Sequence, residues 1–322
     1  MKKIIFSRIL LAAALAFSPA ARAQDYPGKP IRIIVPTAPG AVSDNLARIV
    51  AEKLREKWDQ PVIVENRAGA AGNIGAEAVS RAAPDGYTLL FAVQPTLVVN
   101  KSLYAKLAYD PDAFVPISVV AAATIVLVIH PKVAADSVQQ LIALAKANPD
   151  RLNYASAGSG STQHLTSELF KSRAGVKIIH VPYKGNPAAV VDLLSGQVDM
   201  MFAEISTALP HIRTGRLRAL AIANEKRSSV LPDIPAMSEV LPGFAVAPWW
   251  GMVAPPRTPS AIAEKISAAV AEVLRQPDVA KRLLDMGSIE AIGNSPAEMV
   301  LFMRQERERW GNLIRAIGAT AD

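Results

Sequence analysis

Short apolar runs alternate along this chain with segments whose apolar residues recur at helical spacing, and that alternation limits the fold more than any other feature. Ile31 to Val35 is a continuous apolar run between turn residues, which reads as a buried strand. Leu46, Ile49, Val50 and Leu54 then recur at helical spacing. Val62 to Glu65 reads as a strand, Asn73 to Ala82 as a helix, and Tyr87 to Ala92 as a strand after the Pro84-Asp85-Gly86 turn signal. Ile125 to Ile129 is β-branched and apolar, and Leu141, Ile142, Leu144 and Ala145 mark a helix stopped by Asn148-Pro149. Leu152 to Ala155, Ile178 to Val181, Val198 to Phe202 and Leu217 to Ile222 are further strand candidates, and the chain beyond Pro259 is mostly helical. Such alternation implies α/β layers with largely parallel sheets. At 322 residues the chain has material for two cores. The proline-rich stretches at Pro232-Asp233-Ile234-Pro235 and Ala254-Pro255-Pro256 are either surface loops or the return of a chain that left one domain near residue 125.

The first residues stand apart. Lys2, Lys3 and Arg8 precede an apolar run from Ile9 to Phe17, far shorter than the roughly 20 residues needed to span a bilayer. Pro19 breaks the run, and Ala21-Arg22-Ala23 has the small-x-small pattern of a cleavage site. Residues 1–23 therefore read as a cleaved signal peptide, with a mature chain that starts at Gln24 in the periplasm. Removing them changes the charge argument. The full chain has 35 Lys and Arg against 28 Asp and Glu, a net +7. The leader holds four of those bases and no acid, so the mature excess is +3. Without a basic stripe or interleaved aromatics, nucleic-acid binding is not expected. A mild positive excess suits a protein that receives small anions. The chain has no cysteine, which excludes disulfides, thiolate nucleophiles and cysteine-held metals.

One arrangement occurs twice. Val35 leads into Pro36-Thr37-Ala38-Pro39-Gly40-Ala41 and a helix, and Ala155 leads into Ser156-Ala157-Gly158-Ser159-Gly160-Ser161-Thr162 and a helix. Each unit places a helix N-terminus, with free N–H groups and the positive dipole end, at the carboxyl end of a strand. Open α/β sheets bind ligands at that edge. Ser156, Ser161 and Thr162 add hydroxyl donors. Each loop can equally be a plain capped turn. Catalytic patterns are weak. His130, His164, His180 and His211 lack metal-ligand spacing, no serine fits G-x-S-x-G, and Asp44 and Asp199 have no evident acid/base mate. Gly69 to Gly75 is glycine-rich but fits neither nucleotide loop, and close helix packing is the plainer reading.

Several runs follow one another in a recognisable order. They are Tyr26-Pro27-x-Lys29-Pro30-Ile31-Arg32; Pro36-x-Ala38-Pro39-Gly40 with Asp44 and Ala47-Arg48; and Glu65-Asn66-Arg67-x-Gly69-x-x-Gly72-Asn73-Ile74-Gly75-Ala76. Pro84-Asp85-Gly86-Tyr87-Thr88-Leu89-Leu90, Leu152-Asn153-Tyr154-Ala155-Ser156 and Gln163-His164-Leu165 come next. His180-Val181-Pro182-Tyr183-Lys184-Gly185, Asp192-Leu193-Leu194-x-Gly196-x-Val198-Asp199-Met200-Met201-Phe202 and Leu217-Arg218-Ala219-Leu220-Ala221 complete the series. Over nearly the whole mature chain this resembles the Bug/TctC family, the periplasmic solute-binding receptors of tripartite tricarboxylate transporters.

The resemblance implies a type II periplasmic-binding-protein fold: two α/β lobes, here residues 24–125 plus 251–322 and residues 126–250, with a ligand cleft and hinge between them. It implies a monomer without cofactor, metal or catalysis, which captures a small carboxylate and delivers it to the permease subunits of such a transporter. The site carried over is Thr37, Ala38, Gly40 and Ala41 from the first loop, and Ser156, Gly158, Gly160, Ser161, Thr162 and Gln163 from the second. Gln94, Thr96, Ala203 and Glu204 complete it. Departures fall on these positions. The family commonly has an aromatic at Thr37, a second glycine at Ala41, small hydroxyl residues near Gln94, histidine at Leu97 and Asp-Asn at Ala203-Glu204. A glutamate facing the cleft would repel a second ligand carboxylate; at the rim it would be screened and of little consequence. Trp249-Trp250 either stacks on a ligand ring or packs at the hinge. A ligand-binding sensor that signals to a membrane kinase is the alternative function, favoured by a kinase gene where a permease gene would stand. Turnover of an ester panel would reveal a hydrolase.

Overall fold

The computed structural model describes residues 26–183, 185–287, 289–318 and 320. The expected signal peptide lies outside the described residues. In chain order the elements of the first sheet are β1 (Ile31–Val35), α1 (Val42–Trp58), β2 (Val62–Asn66), α2 (Asn73–Ser80), β3 (Thr88–Val93), a short α3 (Asn100–Leu103) and β4 (Val115–Ala123). The chain then crosses to a second sheet through β5 (Ile125–Ile129), α4 (Val138–Ala147), β6 (Asn153–Ser156), α5 (Thr162–Ala174), β7 (Ile179–Pro182), α6 (Asn186–Ser195), β8 (Met200–Glu204), α7 (Ile205–Arg213) and β9 (Arg218–Ile222). It returns with β10 (Trp249–Ala254), α8 (Ser260–Leu274), α9 (Pro277–Asp285), β11 (Ile289–Ala291) and α10 (Pro296–Ile317).

The first sheet has the order β11-β4-β10-β3-β1-β2 and the second β7-β6-β8-β5-β9. Parallel pairing between strands occurs in β2-β1-β3 and β7-β6-β8. β10 runs antiparallel between β3 and β4, β11 antiparallel to β4, and β5 antiparallel between β8 and β9. The expectation of largely parallel sheets is thus corrected: each sheet is mixed. In each sheet the antiparallel strands are those at which the chain passes between the sheets, β4 and β10 in the first and β5 and β9 in the second, with β11 added at the edge of the first. Only Thr124 separates β4 from β5.

Local rules account for the elements that hold the site. β5 is fully buried along its length, so its apolar run faces protein on both sides. α1 buries Leu46, Val50 and Leu54 on one stripe and stops at Asp59, a left-handed residue. α10 starts with a capping box between Ser295 and Glu298, has Pro296 at its first position, and ends at Gly318. One apolar cluster joins Ile33, Phe91 and Val270 around the first sheet, and another joins Val128, Met201 and Leu193 in the second. The third includes Leu97, Leu103, Leu165, Phe170, Phe202, Phe244 and Trp310, so it links the two halves. These features make a mixed α/β molecule of the two-lobed, type II periplasmic-binding kind.

Candidate functional site

The first loop is braced from below. Asp44, 2% exposed, accepts hydrogen bonds from the Gly40 backbone N–H at 2.8 Å, Arg48 Nε at 3.0 Å and Asn66 Nδ2 at 3.0 Å. Burial alone would raise its pKa, but the bonds from Arg48, Gly40 and Asn66 outweigh it and hold the carboxyl below the ordinary aspartate value. Asn66 also donates to Thr37 O, and the Thr37 and Ser43 hydroxyls lie 2.6 Å apart. Ala38 and Gly40 are left exposed at the tip, with Thr37 and Ala41 half-buried. Ala41 caps α1 with no side-chain hydrogen bond, so the first-turn N–H groups of this helix have no side-chain cap. The glycine run packs against the base of the loop. A Cβ on Gly75 would stand 2.9 Å from Pro36 Cβ and 3.0 Å from Arg67 O, so only glycine permits this approach.

The second loop is held differently. Ser156 is fully buried at the end of β6. Its Oγ lies 2.7 Å from His180 Nε2, accepts from Gly158 N at 3.2 Å and lies 3.2 Å from Gly158 O. Ser161 caps α5 by accepting from His164 N. Gly160 has φ +79° and donates its N–H to His164 Nδ1 at 3.1 Å. A Cβ there would stand 3.2 Å from Leu103 Cδ2, on α3 of the first lobe. Tyr154, His180 and His164 form a stack, with centroids 4.8 and 4.3 Å apart. Burial, helped by the neighbouring His164, pushes His180 down to about 4, and burial likewise lowers His164. Both imidazoles are therefore neutral near pH 7, as the Gly160 bond to His164 Nδ1 requires. The Ser156–His180 pair has the spacing of a nucleophile and base, but none of the described hydrogen bonds joins a carboxylate to the other nitrogen of that imidazole. Its geometry fixes the loop.

Four of the expected residues, Gln94, Thr96, Gln163 and Ala203, are buried with side chains engaged by or packed against the protein. Gln94 Nε2 donates to Glu306 at 2.9 Å, and Thr96 Oγ1 donates to Val93 O at 2.7 Å. Ala203 packs with Met201 and Ile205 in the second-sheet core, because alternation along β8 points it away from Phe202. Gln163 is buried in the first turn of α5. Thr162 is half-buried and leads that helix. Glu204, the last residue of β8, lies on the face of Met200 and Phe202. It is partly buried, with no hydrogen-bond or ion-pair partner for its carboxylate among the described residues. Burial raises its pKa.

Sequence reading missed Glu306. This acid is 3% exposed and accepts from Gln94 Nε2, Trp249 Nε1 and Trp310 Nε1, while Arg309 lies 2.9 Å from its other oxygen. The signal was present: an acid on the apolar stripe of Met299, Met303, Trp310 and Leu313 must find partners inside. Trp249 and Trp250 are buried, and Trp249 meets Phe302 edge-on at 5.2 Å, so both pack. Asp199 accepts from Asn153 N and pairs with Lys132. A cavity of about 500 Å³ lies away from the two loops, among Ala122, Thr124, Asn224, Ala247, Trp249 and Phe302. Among the described residues no group of acids and histidines could hold a metal, and no helix is long and apolar enough to cross a membrane.

Comparison with known proteins gives a consistent result. The family model described as tripartite tricarboxylate transporter family receptor matches residues 46–319. Protein BugT of Bordetella pertussis is 39% identical over 300 residues, covering 92% of each chain. Among solved structures, R. palustris Rpa4515 with adipate is 32% identical at a TM-score of 0.76, over 92% of this chain and 99% of that one. MatC from Rhodopseudomonas palustris with bound malate is 33% identical at a TM-score of 0.71, over 90% of this chain and all of that one.

Proposed function

The chain belongs to the tripartite tricarboxylate transporter receptor family, and we propose that its solute is a small carboxylate, gripped between two lobes and delivered to a membrane permease. It is a solute-binding receptor of the periplasmic class and not an enzyme. In this reading residues 24–125 with 251–322 form one lobe and residues 126–250 the other. Loop residues Thr37 to Ala41 meet one end of the ligand, and Ser156 to Thr162 meet it from the opposite lobe. Glu204 stands near its far end. The leader directs export to the periplasm.

The observation that carries this reading is the matched pair of strand–loop–helix units at β1 and β6, one in each sheet. Both present backbone N–H groups and a helix N-terminus at the carboxyl end of a parallel strand. Bound adipate and malate in two structural relatives agree with an anionic ligand. A hinge rotation about the crossovers would bring the two loops onto it. Titration calorimetry of residues 24–322 with adipate, malate and matched monocarboxylates tests the reading. At least one should bind, and Ser156→Ala should weaken it about tenfold, because the Ser156 hydroxyl holds Gly158 and His180 and so fixes the loop that meets the ligand. Failure of every acid to bind would remove the carboxylate. Unchanged affinity in Ser156→Ala would remove the second loop's serine from the grip.

A further inference from the structure

The cavity of about 500 Å³ is walled by both lobes. β4, β10 and α10 supply Ala122, Trp249 and Phe302, and the connections between the sheets supply Thr124, Asn224 and Ala247. Its position follows from strand order. In the first sheet the β1 loop lies on one side of β10 and the cavity wall, β4 and β11, on the other. In the second sheet the β6 loop lies on one side of β5, and the segment that follows β9 on the other. The two crossovers, Thr124 and the stretch from β9 to β10, stand between. Rotation about them that parts the two loops must bring the cavity walls together.

The walls cannot absorb the change. Trp249 and Val246 are buried and packed, and Asn224 ties the crossovers by accepting from Ile125 N at 3.0 Å and donating to Ala123 O at 3.0 Å. Arg309 on α10 donates to Ala245 O in the returning segment. Its partner Glu306 also holds Gln94, which follows β3 on the side of the loops. The cavity and the loops thus share one hydrogen-bonded frame.

We propose that this cavity is the counter-space of the ligand cleft, and that whatever fills it holds the lobes closed and tightens ligand binding. The inference rests on the reading of a cleft that opens about the crossovers. It assigns control of affinity to residues that never touch the ligand.

The chain has no cysteine, so two introduced ones give unique labels. Arg55→Cys on α1 and Lys146→Cys on α4 are exposed positions in opposite lobes. Spin labels there report lobe separation by pulsed electron resonance, without any ligand. Ala247→Phe fills the cavity from a loop, and Ala122→Leu fills it from a strand should the first variant fail to fold. A wedged variant should shift the ligand-free separation toward its closed value, and should bind whichever of adipate or malate the wild type binds about tenfold more tightly. A folded wedge variant whose separation and affinity match the wild type overturns the inference, as does one that opens the lobes. Separation that closes with the wedge while no carboxylate binds would sink the carboxylate reading and leave the hinge inference standing.

Discussion

Glu204 and Asp44 show how hydrogen-bond donors sort two carboxylates that burial alone would push the same way. Asp44 has three donors and is held ionised, so it works as a brace for the first loop. Replacing it with Asn should cost about 1.5–3 kcal/mol in urea unfolding at pH 7, the range for hydrogen bonds to a charged group. Because its folded pKa is depressed, that contribution is present above the unfolded value of about 3.9 and fades as pH falls through the lower folded value. The gap between wild type and Asp44→Asn should therefore close in acid, and a gap that persists there would deny the carboxylate its role. The Glu204 carboxylate has no hydrogen-bond or ion-pair partner among the described residues, and burial raises its pKa, so it repels a second carboxylate only while it is ionised. A ligand with a second carboxylate at that end would meet a like charge, whereas a hydroxyl, a cation or a neutral ring would not. A thermal-shift panel of matched mono- and dicarboxylates should favour the monocarboxylates, and Glu204→Gln should recover dicarboxylate binding. A wild type that prefers dicarboxylates, with no change in Glu204→Gln, would place Glu204 outside selection.

At the scale of elements, α10 stitches the structure through Glu306. Glu306→Ala would leave the N–H groups of Gln94, Trp249 and Trp310 buried without an acceptor, each at about 1–3 kcal/mol. A fall in unfolding free energy of about 3 kcal/mol or more is expected, and a loss under about 1 kcal/mol would mean that other acceptors replace the carboxylate. This helix was partly legible in the sequence: the region after Pro259 reads as helical, without the start that the Ser295–Glu298 capping box sets in the structure. The strands of the second sheet were legible too, because runs such as Ile125 to Ile129 are β-branched and bounded by turns. β4, β10 and β11 were not. β4 contains Pro116 and three closing alanines, β10 contains Gly251, and β11 is three residues long. Strand direction was also hidden, since an apolar run reads the same whether its neighbour is parallel or antiparallel. Of the candidate site, both loops could be found because glycine, hydroxyl and helix-start signals lie together in sequence. Gln94, Thr96 and Ala203 read the same in sequence whether they face a ligand or the core, and the contact that engages Gln94, with Glu306, lies 212 residues away in sequence.

The whole molecule places two helix N-termini on loops from different sheets, with the chain passing between the sheets at Thr124 and after β9. A ligand between the two loops meets the positive ends of α1 and α5, which favours an anion over an uncharged molecule of the same shape. Matched pairs of each carboxylate and its amide, followed by thermal shift at one concentration and pH, test that claim most directly. Lobe closure on an anion predicts that the acid of at least one pair raises the melting temperature while its amide leaves it unmoved. Equal shifts from acid and amide, or a shift from the amide alone, would contradict carboxylate capture by these two loops.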